Sequence, residues 1–447
     1  MPPLATSSIH RILSRLVSVD RQELRALLWS FLCFFTLLAS YYVLRPVRDE
    51  MGVQTGAQNL PWLFSAVFVS MLVLAPFFGW IAGRLPVRRL IPTIYLFFSS
   101  NLLLFFFALI ADVPRTTVAP VFFVWVSVFN LFVVSVFWSV MVDLYSTESA
   151  RRLFGFIAAG GSSGAVAGPL FTALMVPSLG VAPLLLVSIG LLLTAMTCFF
   201  AVLRTHPRHD REGARATILK PQGDERAPPS LWVGLTKILQ SRYLLGICVY
   251  LACYSVLSTM LYSQQMVLVP QVVGSAEERT QLFAWVDLAV NGLTVLTQVL
   301  LTGRLLAGLG VTVMLVLVPA FNVVGFSVFS LAPILAVLVV FGVLRRAGEF
   351  AIAKPTRETL FTVVSKEEKY QAKNVIDTVV HRGGDMASSW FSNALQSAGL
   401  SIGETAFAAV PIAVLWLANG FYLGRRHERL RDRHPRDDHR SSAQEVP

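Results

Sequence analysis

The stretch ALLWSFLCFFTLLASYYVL, residues 26–44, carries no charge along its length and is bounded by Arg25 and Arg45. A helix rises about 1.5 Å per residue and the hydrocarbon core of a bilayer is about 30 Å thick, so a run of this length spans it. Apolar runs of similar length follow at about 60–82, 90–111, 118–142, 153–176 and 181–203. A second set lies at about 242–265, 282–302, 310–332, 333–353, 374–398 and 405–423. In a bilayer each backbone N–H and C=O must find its partner inside the protein, which unbroken apolar runs achieve as helices. The expected fold is an all-α membrane protein with twelve transmembrane helices in two six-helix bundles.

Composition agrees with that reading. Of 447 residues, 55% are hydrophobic and 14% charged, where a soluble domain has roughly 25% charged. The net charge of +11 would suit nucleic acid if it were gathered into a basic domain. It is instead scattered between the apolar runs, so the lipid bilayer is the expected partner and nucleic acid is not. Cys33, Cys198, Cys248 and Cys253 fall inside apolar runs, with no CxxC spacing and no nearby His, and read as small packing residues. Arg11, Arg15, Arg21 and Arg25 precede a full-length apolar run without a small-residue cleavage site. The first span is therefore expected to remain as an anchor.

Between the two sets of runs lies a stretch rich in Pro, Gly and charge that reads as a flexible linker. The expected organisation is an N-terminal bundle at 1–203, a cytoplasmic linker at 204–241, a C-terminal bundle at 242–424 and a basic cytoplasmic tail at 425–447. Lys and Arg collect in cytoplasmic segments. With both termini placed inside, those segments hold 30 of the 37 such residues, and the opposite loops hold Arg45, Arg48, Arg115 and Arg279. That alternation predicts a multi-pass protein of a bacterial inner membrane with both termini cytoplasmic. The halves also echo one another. Gly83-Arg84-Leu85 matches Gly303-Arg304-Leu305, and Gly160-Gly161 matches Gly383-Gly384, at nearly the same offset. A duplicated six-helix unit places a substrate site near the midplane.

The residues that carry chemistry are few. At the outer end of span one, Arg45 and Arg48 share a face at i, i+3. They read either as a cationic lip for an anionic substrate or as interfacial anchors paired with Asp49 and Glu50. Pro46 is expected to limit the helix there. In span five, Gly160, Gly164 and Gly168 recur every four residues and precede Pro169, which points to close helix packing or to a bend point. Charges inside spans cost about 2.5–3.5 kcal/mol each at a helix centre on insertion scales. Here they are Asp287 in span eight, with Asn291 one turn along; Arg345, Arg346 and Glu349 in span ten; and Asp377, His381, Arg382 and Asp385 in span eleven. Both structural or gating ion pairs and direct contact with substrate or a coupling proton fit these residues. His381 is either a proton carrier beside Asp385 or a buried hydrogen-bonding partner. The mixed-charge segments Lys354–Leu360 and Ser365–Tyr370 suit a short interfacial helix. No phosphate-cradling Gly loop, metal-ligand cluster or nucleophile–base motif stands out. Neither an enzyme nor a cofactor or metal site is expected.

The duplicated plan resembles the major facilitator superfamily. Gly79-Trp80-Ile81-Ala82-Gly83-Arg84-Leu85-Pro86-Val87-Arg88-Arg89 is similar to its loop after span two, with Gly83 in place of the Asp and Pro86 in place of the second Gly. Gly164-Ala165-Val166-Ala167-Gly168-Pro169 looks like the start of its span-five glycine motif. A closer resemblance is to the ATP:ADP antiporter group of intracellular bacteria and plastids. It rests on Leu44 to Gly52, Phe137-Trp138 with Glu148 to Phe154, Lys354 to Glu358, and KYQAKNVIDTVVHRGGD at 369–385. The span-four Glu that the resemblance implies falls near Val126, with Asn130 as the nearby polar residue. These features imply a secondary transporter moving a small anionic solute, such as a nucleotide or phosphorylated metabolite, by alternating access. The alternatives are a proton-coupled exporter of amphipathic compounds and a non-transporting membrane scaffold or sensor.

Overall fold

The computed structural model describes residues 23–205, 231–365, 368, 372–373 and 375–432. Arg11, Arg15, Arg21, linker residues 206–230, Lys366, Glu367, Lys369, Tyr370 and tail residues 433–447 lie outside the described residues, as does the side chain of Asp377. Regular structure among the described residues is entirely helical. The first set of apolar runs forms α1 (Leu24–Thr55), α2 (Leu60–Arg84), α3 (Val87–Ile110), α4 (Arg115–Leu144), α5 (Thr147–Leu179) and α6 (Ala182–Thr205). Then follow α7 (Leu231–Gln240), α8 (Arg242–Val272), α9 (Ala276–Thr297) and α10 (Gly303–Leu331), and after them α11 (Leu335–Gly348), α12 (Lys354–Thr359), α13 (His381–Ser397), α14 (Ile402–Phe407) and α15 (Val410–Arg431).

By length and apolarity, nine stretches among the described residues can cross a membrane, where the sequence led us to expect twelve. The difference has identifiable causes. Residues 276–331 count as one stretch, because α9 passes into α10 through a π-helical turn at Gln298–Thr302. Within that stretch the non-helical conformation at Gly310 (φ 76°, ψ 170°) breaks the helix, so that α10 consists of two helices meeting at a kink and the stretch holds more than one span. A glycine tolerates that positive φ at no Cβ cost. Span ten is divided into α11, a π turn at Glu349–Ala353 and α12, and span eleven begins with a π turn at Ile376–Val380. The charges that mark these spans as unusual also lower their apolarity.

Two local expectations change. Pro46 does not end α1, which continues to Thr55. Proline removes one helical hydrogen bond, and inside a membrane protein neighbouring helices make that tolerable. Packing and ion pairs on the last turns of α1 hold them in place. Within the stretch read as linker, Leu231–Gln240 folds as α7, with Ile238 buried against α8 residues such as Tyr243 and Ile247.

By contacts the chain forms two compact units. The first comprises Met1–Thr55, Val73–Glu225 and Gly274–Leu288, the second Gly56–Leu72, Arg226–Val273 and Ala289–Pro447. The segments that each sequence half contributes to the other unit, the start of α2 and the start of α9, occupy equivalent places in the repeat. The first unit's core is aromatic: Phe34 stacks on Phe137 at 4.3 Å, and Trp125 on Phe129 at 5.2 Å. In the second unit Tyr250, Phe326, Phe329, Phe341 and Trp416 form the corresponding core. Large apolar side chains such as Leu104, Val299 and Phe97 point outward, as lipid-facing residues do and as the surface of a soluble protein rarely does.

Shape, more than hydrophobicity, drives helix association in lipid. The α1–α5 contact shows how. A methyl group at Gly160 or Gly164 would collide with the carbonyl oxygens of Phe31 or Phe35, and one at Gly168 would lie 2.8 Å from the oxygen of Ala39. Pro169 is buried within α5, which stays helical through it. In the second unit Gly384 of α13 packs against α8, where a methyl would sit 2.9 Å from Ser255 Oγ. In each unit, then, a glycine-bearing helix packs closely onto that unit's first long helix. Gly164→Ala should destabilise the protein by about 1–3 kcal/mol through overpacking. Gly190→Ala, which meets nothing within 4 Å, should leave the thermal unfolding temperature unchanged or slightly raised. Equal unfolding temperatures for the two variants would refute the packing account.

Candidate functional site

The first group of charges lies in the first unit, where the end of α1 meets α9. Glu50 is 0% exposed, a position that no isolated carboxylate tolerates. Arg279 supplies a two-pronged partner: Nε donates to Glu50 Oε2 and Nη2 to Oε1, both at 2.7 Å. Gln54 donates to the same carboxylate at 2.8 Å, and Arg279 Nη1 donates to the carbonyl of Gly274 at 2.6 Å. Charge-assisted forks of this kind are the strongest hydrogen bonds that side chains form. Five residues earlier in α1, Arg45 Nε lies 3.4 Å from Asp287 Oδ2, and Asp287 is 1% exposed. The exchange is reciprocal: α1 gives a cation and an anion, and α9 answers with an anion and a cation. Arg48 donates to neighbouring Asp49 at 2.9 Å and lies 4.7 Å from the Phe123 ring centre. Arg45 and Arg48 therefore face different partners.

The second group lies in the second unit and is organised by a polar face of α8. Tyr254, Ser255, Ser258 and Thr259 occur at spacings that put them on one side of a helix. Asp385 Oδ1 is 2.5 Å from Ser255 Oγ and accepts from Thr259 at 3.1 Å, while its Oδ2 accepts from Arg382 at 3.3 Å. Ser255 Oγ also lies 2.7 Å from the carbonyl oxygen of His381, whose ring stacks on Tyr254 at 5.9 Å. One turn along α8, Ser258 Oγ accepts from Arg345 Nη2 at 3.1 Å. Glu349, at the start of its π turn, lies 3.8 Å from Arg357 rather than in an ion pair with Arg345. Arg346 is half-buried and projects about 100° further round the helix than Arg345.

The structure thus gathers His381, Arg382 and Asp385 around Ser255, and sets Arg345 against Ser258 on the same helix face. Arg45 and Asp287 meet in the other unit. Sequence reasoning missed Arg279, which it counted as an outer-loop charge, and Tyr254, Ser255, Ser258 and Thr259 of α8, which sit unremarked in a largely apolar run. The signal was available: Ser and Thr at helical spacing opposite a span with Asp and Arg can neutralise what lipid cannot. Val126, where the nucleotide-carrier resemblance would place an acid, is packed in the apolar core of the first unit. Among the described residues there is no group of three or more His, Cys, Asp or Glu suited to a metal ion, and all four cysteines are free.

Comparison with known proteins agrees with this architecture. The family model of the Major Facilitator Superfamily matches residues 27–365. ADP,ATP carrier protein 2 of Chlamydia pneumoniae is 26% identical over 242 residues, which is 48% of this chain and 44% of that protein. The chain thus spans less than half the length of that curated relative. Among solved structures, a POT family peptide transporter aligns with a TM-score of 0.61 at 14% identity, covering 91% of this chain and 97% of that one. A bacterial homolog of the human lysosomal transporter Spinster gives 0.61 at 14% identity, over 92% and 99% of the chains. A nucleoside transporter gives 0.56 at 14% identity, over 92% and 99%. These structures share the fold. A match across most of the chain, a wholly helical architecture among the described residues and a shared fold lead to one assignment: the chain is a multi-pass membrane protein that belongs to the Major Facilitator Superfamily.

Proposed function

We propose that the protein carries a small anionic solute across a bacterial inner membrane by alternating access, with both termini cytoplasmic, and that nucleotides and phosphorylated metabolites are the leading substrate class. The observation that carries this reading is the buried guanidinium of Arg345 in the second unit, which donates to the Ser258 hydroxyl on the polar face of α8. Buried charge inside spans marks solute pathways, and guanidinium groups suit phosphate and carboxylate because their N–H bonds form a planar fork. The similarity to an ADP,ATP carrier supports the nucleotide member of the class. The distribution of Lys and Arg supports the orientation.

The reciprocal pairs Glu50–Arg279 and Arg45–Asp287 suit a latch that forms in one state of the cycle and breaks in another. An ion pair with its carboxylate wholly buried holds firmly, and removing one partner costs about 3–5 kcal/mol. It still exchanges whole, because both groups can be hydrated once water reaches them. Glu50→Arg and Arg279→Glu should each abolish uptake. The double variant Glu50→Arg/Arg279→Glu should restore a measurable fraction of uptake and of thermal stability. Additive losses in the double variant would remove the latch from the account.

Substrate class is tested in liposomes loaded with unlabelled ATP and containing the purified protein. Uptake of labelled ATP or ADP, insensitive to collapse of the proton gradient, is the expected result. A folded protein that takes up neither nucleotide while moving another solute would exclude nucleotide exchange.

A further inference from the structure

Several charges of the second unit meet an opposite charge: Arg382 with Asp385, Lys373 with Glu358, and Arg357 with one oxygen of Glu349. Arg345 is different. It is 4% exposed and its Nη2 donates to Ser258, but Nε and Nη1 have no hydrogen-bond partner among the described residues. A guanidinium has five N–H donors, one on Nε and two on each Nη, so most of its donor capacity is unused. Glu349 is 3% exposed, and its Oε2 likewise has no hydrogen-bond partner among the described residues. Buried charged donors and acceptors are costly to leave unmatched. Here a donor-rich cation and a free acceptor stand four residues apart in one helical segment, an axial rise of about 6 Å. The π turn that starts at Glu349 adds an independent sign, since such turns are frequent at functional positions.

We infer that Arg345 and Glu349 form a two-point subsite for a small solute bearing one oxyanion and, within about 6 Å of it, a hydroxyl or ammonium group. Arg345 binds the carboxylate or phosphate, while Ser258 fixes the plane of the guanidinium. Glu349 Oε2 accepts the hydrogen bond of the solute's donor. The inference rests on the reading of the chain as a carrier of anionic solutes and narrows it. A bare anion answers only Arg345. A hydroxy acid, an amino acid or a phosphorylated polyol answers both groups and leaves the Arg382–Asp385 pair undisturbed.

The test uses purified full-length protein and calorimetric titration with five probes: glycerol 3-phosphate, glycerate, inorganic phosphate, acetate and glycerol. A hydroxylated acid should bind about tenfold more tightly than its bare counterpart, the worth of one hydrogen bond to a charged group, and glycerol should not bind. Glu349→Met should erase that advantage while keeping anion binding. Arg345→Met should abolish anion binding, and Arg345→Lys, which keeps the charge and the fold but loses the planar fork, should weaken it about tenfold. The phosphate and carboxylate arms show which oxyanion is preferred. Equal affinities for hydroxylated and bare acids, or wild-type affinity in Arg345→Lys, would overturn the subsite while leaving an anion carrier intact. Failure of every anion to bind the wild type would remove both the subsite and the anion-carrier reading.

Discussion

A carboxylate with no solvent exposure has to be answered by a cation, and Glu50 is answered by the two-pronged guanidinium of Arg279. The same constraint governs each charge that this chain places among apolar helices. Lipid offers no compensation, so the position of one charged residue dictates what must lie across from it. α1 and α9 meet this demand by trading signs. α8 meets it with hydroxyls, which are small enough to sit in a close-packed helix face and still hydrogen-bond a carboxylate or a guanidinium.

The glycine contacts serve the same end. Hydroxyl side chains are short, so Ser255 reaches Asp385 only if α8 and α13 approach closely, and Gly384 provides that approach. In the first unit Gly160, Gly164 and Gly168 bring α5 onto the backbone of α1, fixing the helix that carries Arg45, Arg48 and Glu50. Packing thus determines electrostatics: small residues set the distance between helices, and that distance decides which polar partners are within reach. The interruptions of helical geometry in the second unit, at Glu349–Ala353 and Ile376–Val380, adjoin the charged residues, where a regular helix would project them differently.

Helix class, family and most charged positions were legible in the sequence, because uncharged runs of spanning length have few alternatives and a charge within such a run is conspicuous. Partners were less legible. Arg279 looks like any loop arginine until α9 is seen to begin in the first unit. Ser258 and Thr259 are indistinguishable by composition from packing residues. Pro46 misled for a related reason: its local preference to end a helix is overridden by tertiary contacts at Glu50 and Arg45 that lie far along the chain. The π turns and the break at Gly310 depend on local backbone geometry that a hydropathy pattern does not encode.

The central claim is that paired charges build the transporter while the guanidinium of Arg345 is kept for the solute. Arginine-selective labelling with phenylglyoxal, read residue by residue by mass spectrometry with and without a bound oxyanion, tests this most directly. The account predicts that Arg345 is labelled in the cycling protein and protected by the anion, whereas labelling of Arg382 is indifferent to it. An Arg345 that resists labelling until the protein unfolds, with or without anion, would contradict it.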